Sequence, residues 1–175
     1  MPVRILGLLA ANALRRCTLQ TCLWVMAITV MSSGAYASGL TLEAGLNSQV
    51  FDKPADQVRD GVSPVVLASV RSPRSPSGRF SAEWITGAIG GPQATEFTSA
   101  SLGLHGSGLS FQAGPALLSR TTEHLSTHWQ FAIGVRADYG RLTIRFLHLS
   151  NGQKRLGHRY GPNIGEDMLM LGWRF

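Results

Sequence analysis

Near the C-terminus stands Arg145-Phe146-Leu147-His148-Leu149-Ser150-Asn151. Its alternation is that of a β-strand, in which residues i and i+2 share a face. His148 and Ser150 are therefore neighbours on one side, with Cα atoms roughly 6.6 Å apart. An imidazole within reach of a hydroxyl is the first requirement for turning serine into a nucleophile. The same face carries Leu142, Ile144 and Phe146, so the polar pair continues an apolar stripe. That is an odd place for polar side chains unless the stripe faces lipid and the pair works on lipid.

The elements that must position this pair are strands. After residue 37 the chain shows no convincing amphipathic helix; its apolar spacing is mostly two, and Gly and Ser are frequent. The pattern predicts eight strands, at 40–50, 63–70, 79–89, 96–106, 108–119, 126–138, 141–151 and 165–175, of which 63–70 is the shortest. Most have the roughly 9–11 residues with which a tilted strand crosses a bilayer. Asp138-Tyr139-Gly140 predicts a tight hairpin, whereas Arg71 to Gly78 is too rich in proline for a central strand. A soluble sandwich and a small membrane barrel share this signature. An even strand number behind an export signal, and a last strand in which Leu169, Leu171, Trp173 and Phe175 alternate with Met168, Met170, Gly172 and Arg174, favour the barrel. Trp129 and Tyr139 then read as members of an interfacial aromatic girdle. Glu83, on the parity opposite Trp84, reads as an inward acid paired with Arg136 or Arg145.

Residues 1–37 read as a cleaved signal peptide and 38–175 as the barrel domain. Arg4, Arg15 and Arg16 precede an apolar core, Leu23 to Met31, and Ala35-Tyr36-Ala37 is an A-x-A cleavage sequence. The core is too short for a roughly 20-residue helical span. Both cysteines, Cys17 and Cys22, lie before the cleavage point. The mature chain thus has no thiol for a disulfide, a metal site or a nucleophile. Removing the three arginines from sixteen basic residues leaves thirteen against ten acidic ones, and no basic helix or aromatic-basic interleaving suggests nucleic acid. His105, His124, His128 and His158 lack metal-ligand spacing and read as surface or interfacial residues.

The strand ending in His148-Leu149-Ser150-Asn151, the loop after it, Asn163-Ile164-Gly165-Glu166-Asp167 and the closing strand Met168 to Phe175 resemble the lipid A 3-O-deacylase (PagL) family of outer-membrane enzymes. That family's signature is a strand ending in His-x-Ser-Asn, a loop, Asn-x-Gly followed by an acid, and a short final strand. Glu83-Trp84, Gly114 to Leu118, and Trp129-Gln130-Phe131 with Gly134 extend the likeness over most of residues 79–175. The resemblance implies an eight-stranded antiparallel transmembrane barrel in the bacterial outer membrane, with a Ser-His-acid site on its outer wall. It implies hydrolysis of the ester-linked 3-hydroxyacyl chain at position 3 of lipid A in lipopolysaccharide, without metal or cofactor. Ser150 would be the nucleophile and His148 the general base; Asn151, or a backbone N–H after it, would bind the oxyanion. For the acid, Asp167 shares the parity of Leu169 and Leu171 and has the family's spacing after the glycine. Glu166 is the alternative, and a β-bulge after Gly165 would select it.

The chain departs from the family in three places. Gly152-Gln153 stands where Ala-Gly is common, Ile164 where proline is common, and the loop 152–164 is longer. Lys154, Arg155, His158 and Arg159 in that loop suit either lipid A phosphates or solvent. The other functional classes open to the sequence are a non-enzymatic structural or adhesive barrel, and an outer-membrane esterase or phospholipase acting on another lipid. A homodimer is open to the chain as well as a monomer.

Overall fold

A computed structural model describes residues 39–48, 62–92, 94–151 and 165–175. The chain divides into two units, Met1–Ala37 and Ser38–Phe175; the predicted signal peptide lies outside the described residues. So do the segment 152–164 and its four basic side chains.

Eight strands follow one another: β1 (Leu40–Ser48), β2 (Ser63–Arg71), β3 (Phe80–Ile89), β4 (Thr95–His105), β5 (Leu109–Leu118), β6 (Trp129–Tyr139), β7 (Leu142–Ser150) and β8 (Glu166–Arg174). Each pairs with its neighbours, and β1 also pairs antiparallel with β8, closing a barrel. The alternation fitted barrel and sandwich alike; closure is the architecture that the even strand number and the last strand favoured, and it excludes the sandwich. With no free edge, every strand presents one side to a filled interior and the other outward.

The outward set is apolar. It includes Leu42, Val66, Leu102, Phe111, Phe131, Ile144 and Leu171, all well exposed. Trp129 and Tyr139 stand exposed at opposite ends of β6. At one end of the barrel lie Gly39, Phe175 and the turns 72–79, 106–108 and 140–141; at the other lie the connection 119–128, Asn151 and Gly165. The tightest turn follows from its residues. Tyr139 pairs with Leu142, leaving Gly140-Arg141 as a two-residue hairpin turn. Gly140 has φ +60°, the positive angle that a type II′ turn requires at its first central position.

Inside, the barrel is divided along its length. Toward the connections it is apolar, with Val65, Ile85, Phe97, Leu118, Leu147, Leu149 and Met168 in one buried cluster. Toward the short turns it is ionic. The Arg145 guanidinium donates to Glu43 at 2.8–3.1 Å, to Glu83 at 2.7 Å, to Gln112 at 3.0 Å and to Ser69 at 3.2 Å. Arg136 donates to Glu83 at 2.9 Å and to Asp138 at 2.7 Å, and Arg71 reaches Asp138 at 3.0 Å. Glu83 therefore pairs with both arginines named as its candidate partners. Gly172 makes room for this network, since a Cβ there would collide with Glu43 Cγ and Thr143 Oγ1.

The strand expected at 126–138 begins later, at Trp129. Thr122 Oγ1 accepts the backbone N–H groups of His124 and Leu125 at 3.3 and 3.0 Å. Leu125 turns into the apolar interior, with 0% exposure. A local side-chain bond and a buried leucine thus compete successfully with strand extension.

Arg145→Met leaves Glu43 and Glu83 buried without their principal shared donor. It is expected to cost about 3–5 kcal/mol, measured as a lowered urea midpoint of the refolded barrel.

Candidate active site

The site is built from the end of β7 and the start of β8. Alternation along β7 buries Thr143, Arg145, Leu147 and Leu149 and turns Ile144, Phe146, His148 and Ser150 outward. Along β8 the register sets His148 opposite Asp167 and Leu149 opposite Glu166. The ladder runs without interruption from Leu142↔Trp173 to Leu149↔Glu166, so no bulge shifts the parity after Gly165. Asp167 thereby faces outward beside His148, and Glu166 faces inward.

His148 Nδ1 lies 2.7 Å from Asp167 Oδ1. The carboxylate side chain is only 4% exposed, although it stands on the outer wall, and the imidazole is 24% exposed. A carboxylate accepts but cannot donate, so this contact places the imidazole proton on Nδ1. Nε2 is then left with its lone pair, the form a general base needs. Ser150 lies two residues on along the same face and pairs across the ladder with Phe131, while His148 pairs with Ile133. The polar group is framed by Ile133, Phe131, Phe146 and Leu169 on the outward surface.

Asn151 directly follows β7, and its carboxamide Nδ2 donates to Ser126 Oγ at 3.3 Å and to Thr127 Oγ1 at 3.1 Å. These bonds tie the end of β7 to the β5–β6 connection. An oxyanion contact from this side chain would exchange one of them.

Glu166 has a different position and different partners. Its carboxylate is buried; it accepts Asn47 Nδ2 at 2.8 Å and contacts His124 Nδ1 at 2.7 Å. His124, expected at the surface, is buried at 3% exposure, because a leucine on its C-terminal side carries the connection inward and Glu166 receives its ring. The contributions of His124, Ser126 and Thr127 were not foreseen. The local sign was Thr122, two and three residues before backbone groups that its hydroxyl could hold. The partners themselves are remote in sequence. Among the described residues, no group of His, Cys, Asp and Glu is arranged to hold a metal ion.

Together these residues define a closed eight-stranded antiparallel barrel with a His–Asp pair and a neighbouring serine on its apolar outer wall. A scan against protein-family models, a search of curated proteins and a search of solved structures each returned no match.

Asn151→Ala removes both donations to the 119–128 connection. About 1 kcal/mol is expected for each such bond. Amide hydrogen exchange should quicken in residues 122–128 and stay unchanged in β3 and β4.

Proposed function

We propose that this protein is a lipid A 3-O-deacylase, an ester hydrolase of the bacterial outer membrane. The observation that carries the reading is the 2.7 Å His148–Asp167 contact on the outward face that also bears Ser150. An adhesive or purely structural barrel has no use for a buried carboxylate orienting an imidazole on its apolar wall. A substrate already embedded in a bilayer, by contrast, meets such a site without a deep cleft. The motif resemblance in His148 to Asn151 and Asn163 to Asp167 supplies the substrate class.

The membrane reading rests on the wall. Large apolar side chains are exposed on every strand of the barrel, with Leu102 at 71% and Leu169 at 60%, and extended exposed apolar surface marks a protein or membrane contact. Short turns at one end and longer connections at the other follow the arrangement of outer-membrane barrels, in which the longer loops are extracellular. The site lies at that longer-loop end, on the side of the leaflet that holds lipopolysaccharide.

Ser150 Oγ attacks the ester carbonyl carbon while His148 Nε2 takes its proton. Asp167 holds the ring and stabilises the imidazolium. The tetrahedral oxyanion is met by Asn151 or by a backbone N–H following it; such a donor typically contributes ~10²–10³ in rate. Collapse breaks the bond to the sugar oxygen, which leaves with the proton from His148, and the acyl chain stays on Ser150. Water, deprotonated by the same imidazole, then releases the 3-hydroxy fatty acid and restores the serine. The chemistry needs no cofactor, and lipopolysaccharide is the partner it requires.

Refolded protein incubated with purified lipopolysaccharide should remove one 3-hydroxyacyl mass from lipid A by mass spectrometry, and Ser150→Ala should remove none. Asp167→Asn should lower kcat by about 10⁴, the order seen when the acid of such a site is neutralised. Unchanged lipid A from a folded wild-type barrel would refute the reading. Release of fatty acid from phospholipid instead would reassign the substrate.

A further inference from the structure

We propose that His124 and Glu166, lying inside the barrel, are positioning residues that select Asp167 as the acid facing His148. The inference deepens the ester-hydrolase reading and rests on it.

Two acids stand side by side at the start of β8, and only register decides which of them reaches the outer wall. A slip by one residue would carry Asp167 into the interior and Glu166 outward, because side chains alternate with a period of two. The inner pair opposes that slip. One Glu166 oxygen accepts Asn47 Nδ2 from β1 at 2.8 Å, and the other meets His124 Nδ1 at 2.7 Å. The His124 carbonyl accepts the Gly165 N–H at 3.2 Å. One residue of the β5–β6 connection thus grips Glu166 by its side chain and the preceding residue by its backbone. Gly165 has φ +78°, so the chain turns into β8 at the gripped residue.

The same connection reaches the other half of the site. Ser126 and Thr127 accept the Asn151 carboxamide directly after Ser150, and the connection is anchored by fully buried Leu125. It therefore spans from the residue following the nucleophile to the residues preceding the acid. Loss of the His124 or Asn47 contact would take a hydrogen bond from a buried carboxylate, and burial short of donors drives such a group toward water. The route toward water at this end of β8 disturbs the pairing that presents Asp167. Two His–acid pairs thus stand back to back across one wall: the outer one is placed for chemistry, and the inner one keeps it in register.

The test uses the full refolded chain, assayed on lipopolysaccharide, with the His148 Nδ1–H resonance followed by NMR in nitrogen-labelled protein. His124→Phe should lower kcat on the order of 10²-fold, the scale of a small misplacement of a catalytic group, with KM unchanged. It should also broaden or remove the His148 resonance. His124→Asn, which keeps a donor near the position of Nδ1, should restore most of both. Asn47→Ala, which removes a second contact to Glu166, should move both readouts in the same direction and serves if His124→Phe does not refold. A folded His124→Phe protein with wild-type kcat and an unchanged resonance would overturn the proposal, as would an Asn variant no better than the Phe one. If wild type and Ser150→Ala both leave lipid A unchanged, the hydrolase reading fails by itself, and the His148 resonance still decides the positioning role.

Discussion

Register is the constraint on which this barrel's outer wall depends. Along every strand one residue is inside and the next is outside, so the pairing of β7 with β8 settles whether an acid meets His148 or the interior. The ladder sets His148 against Asp167 without a break. The resulting carboxylate–imidazole contact is short, and its carboxylate is shielded. An apolar outer wall ordinarily excludes such groups; here they satisfy each other.

The interior holds that register in two ways. Near the short turns, Arg71, Arg136 and Arg145 interlock with Glu43, Glu83 and Asp138. These side chains come from β1, β2, β3, β6 and β7, so the network spans the barrel rather than any one hairpin. Buried ion pairs are not in themselves strong sources of stability, but removing one partner is costly, which makes the network a geometric restraint. Near the longer connections the filling is apolar and close-packed, with Leu125 descending from the β5–β6 connection to complete it. The site sits outside this apolar half, at the same level as the inward Glu166.

The fold was largely legible. Period-two alternation located all eight strands, because a half-apolar strand has no other way to satisfy both faces. The inward course of Glu83 followed from its parity against Trp84. The start of β6 was less legible, since a hydroxyl–backbone bond at Thr122 and a buried Leu125 overrode a continuous alternating pattern. The burial of His124 was not legible at all: its partner Glu166 lies 42 residues away, and nothing local to His124 signals an acid beneath it.

Legible in the chain alone, then, were the alternation of its residues, the number of strands, and the shared face of His148 and Ser150. These are properties of neighbours one or two residues apart, and local geometry dictates them. Parity already favoured Asp167 over Glu166, but that Asp167 lies opposite His148 is a property of the fold, because it depends on how two strands separated by a long connection are aligned. The fold also decided that Asn151 would be tied to Ser126 and Thr127, and that a histidine read as peripheral would be sealed inside against Glu166. The physical reason is the same in each case. The bonds that fix these side chains join residues far apart in sequence, and they become available only when closure brings β1, β8 and the β5–β6 connection to one end of the barrel.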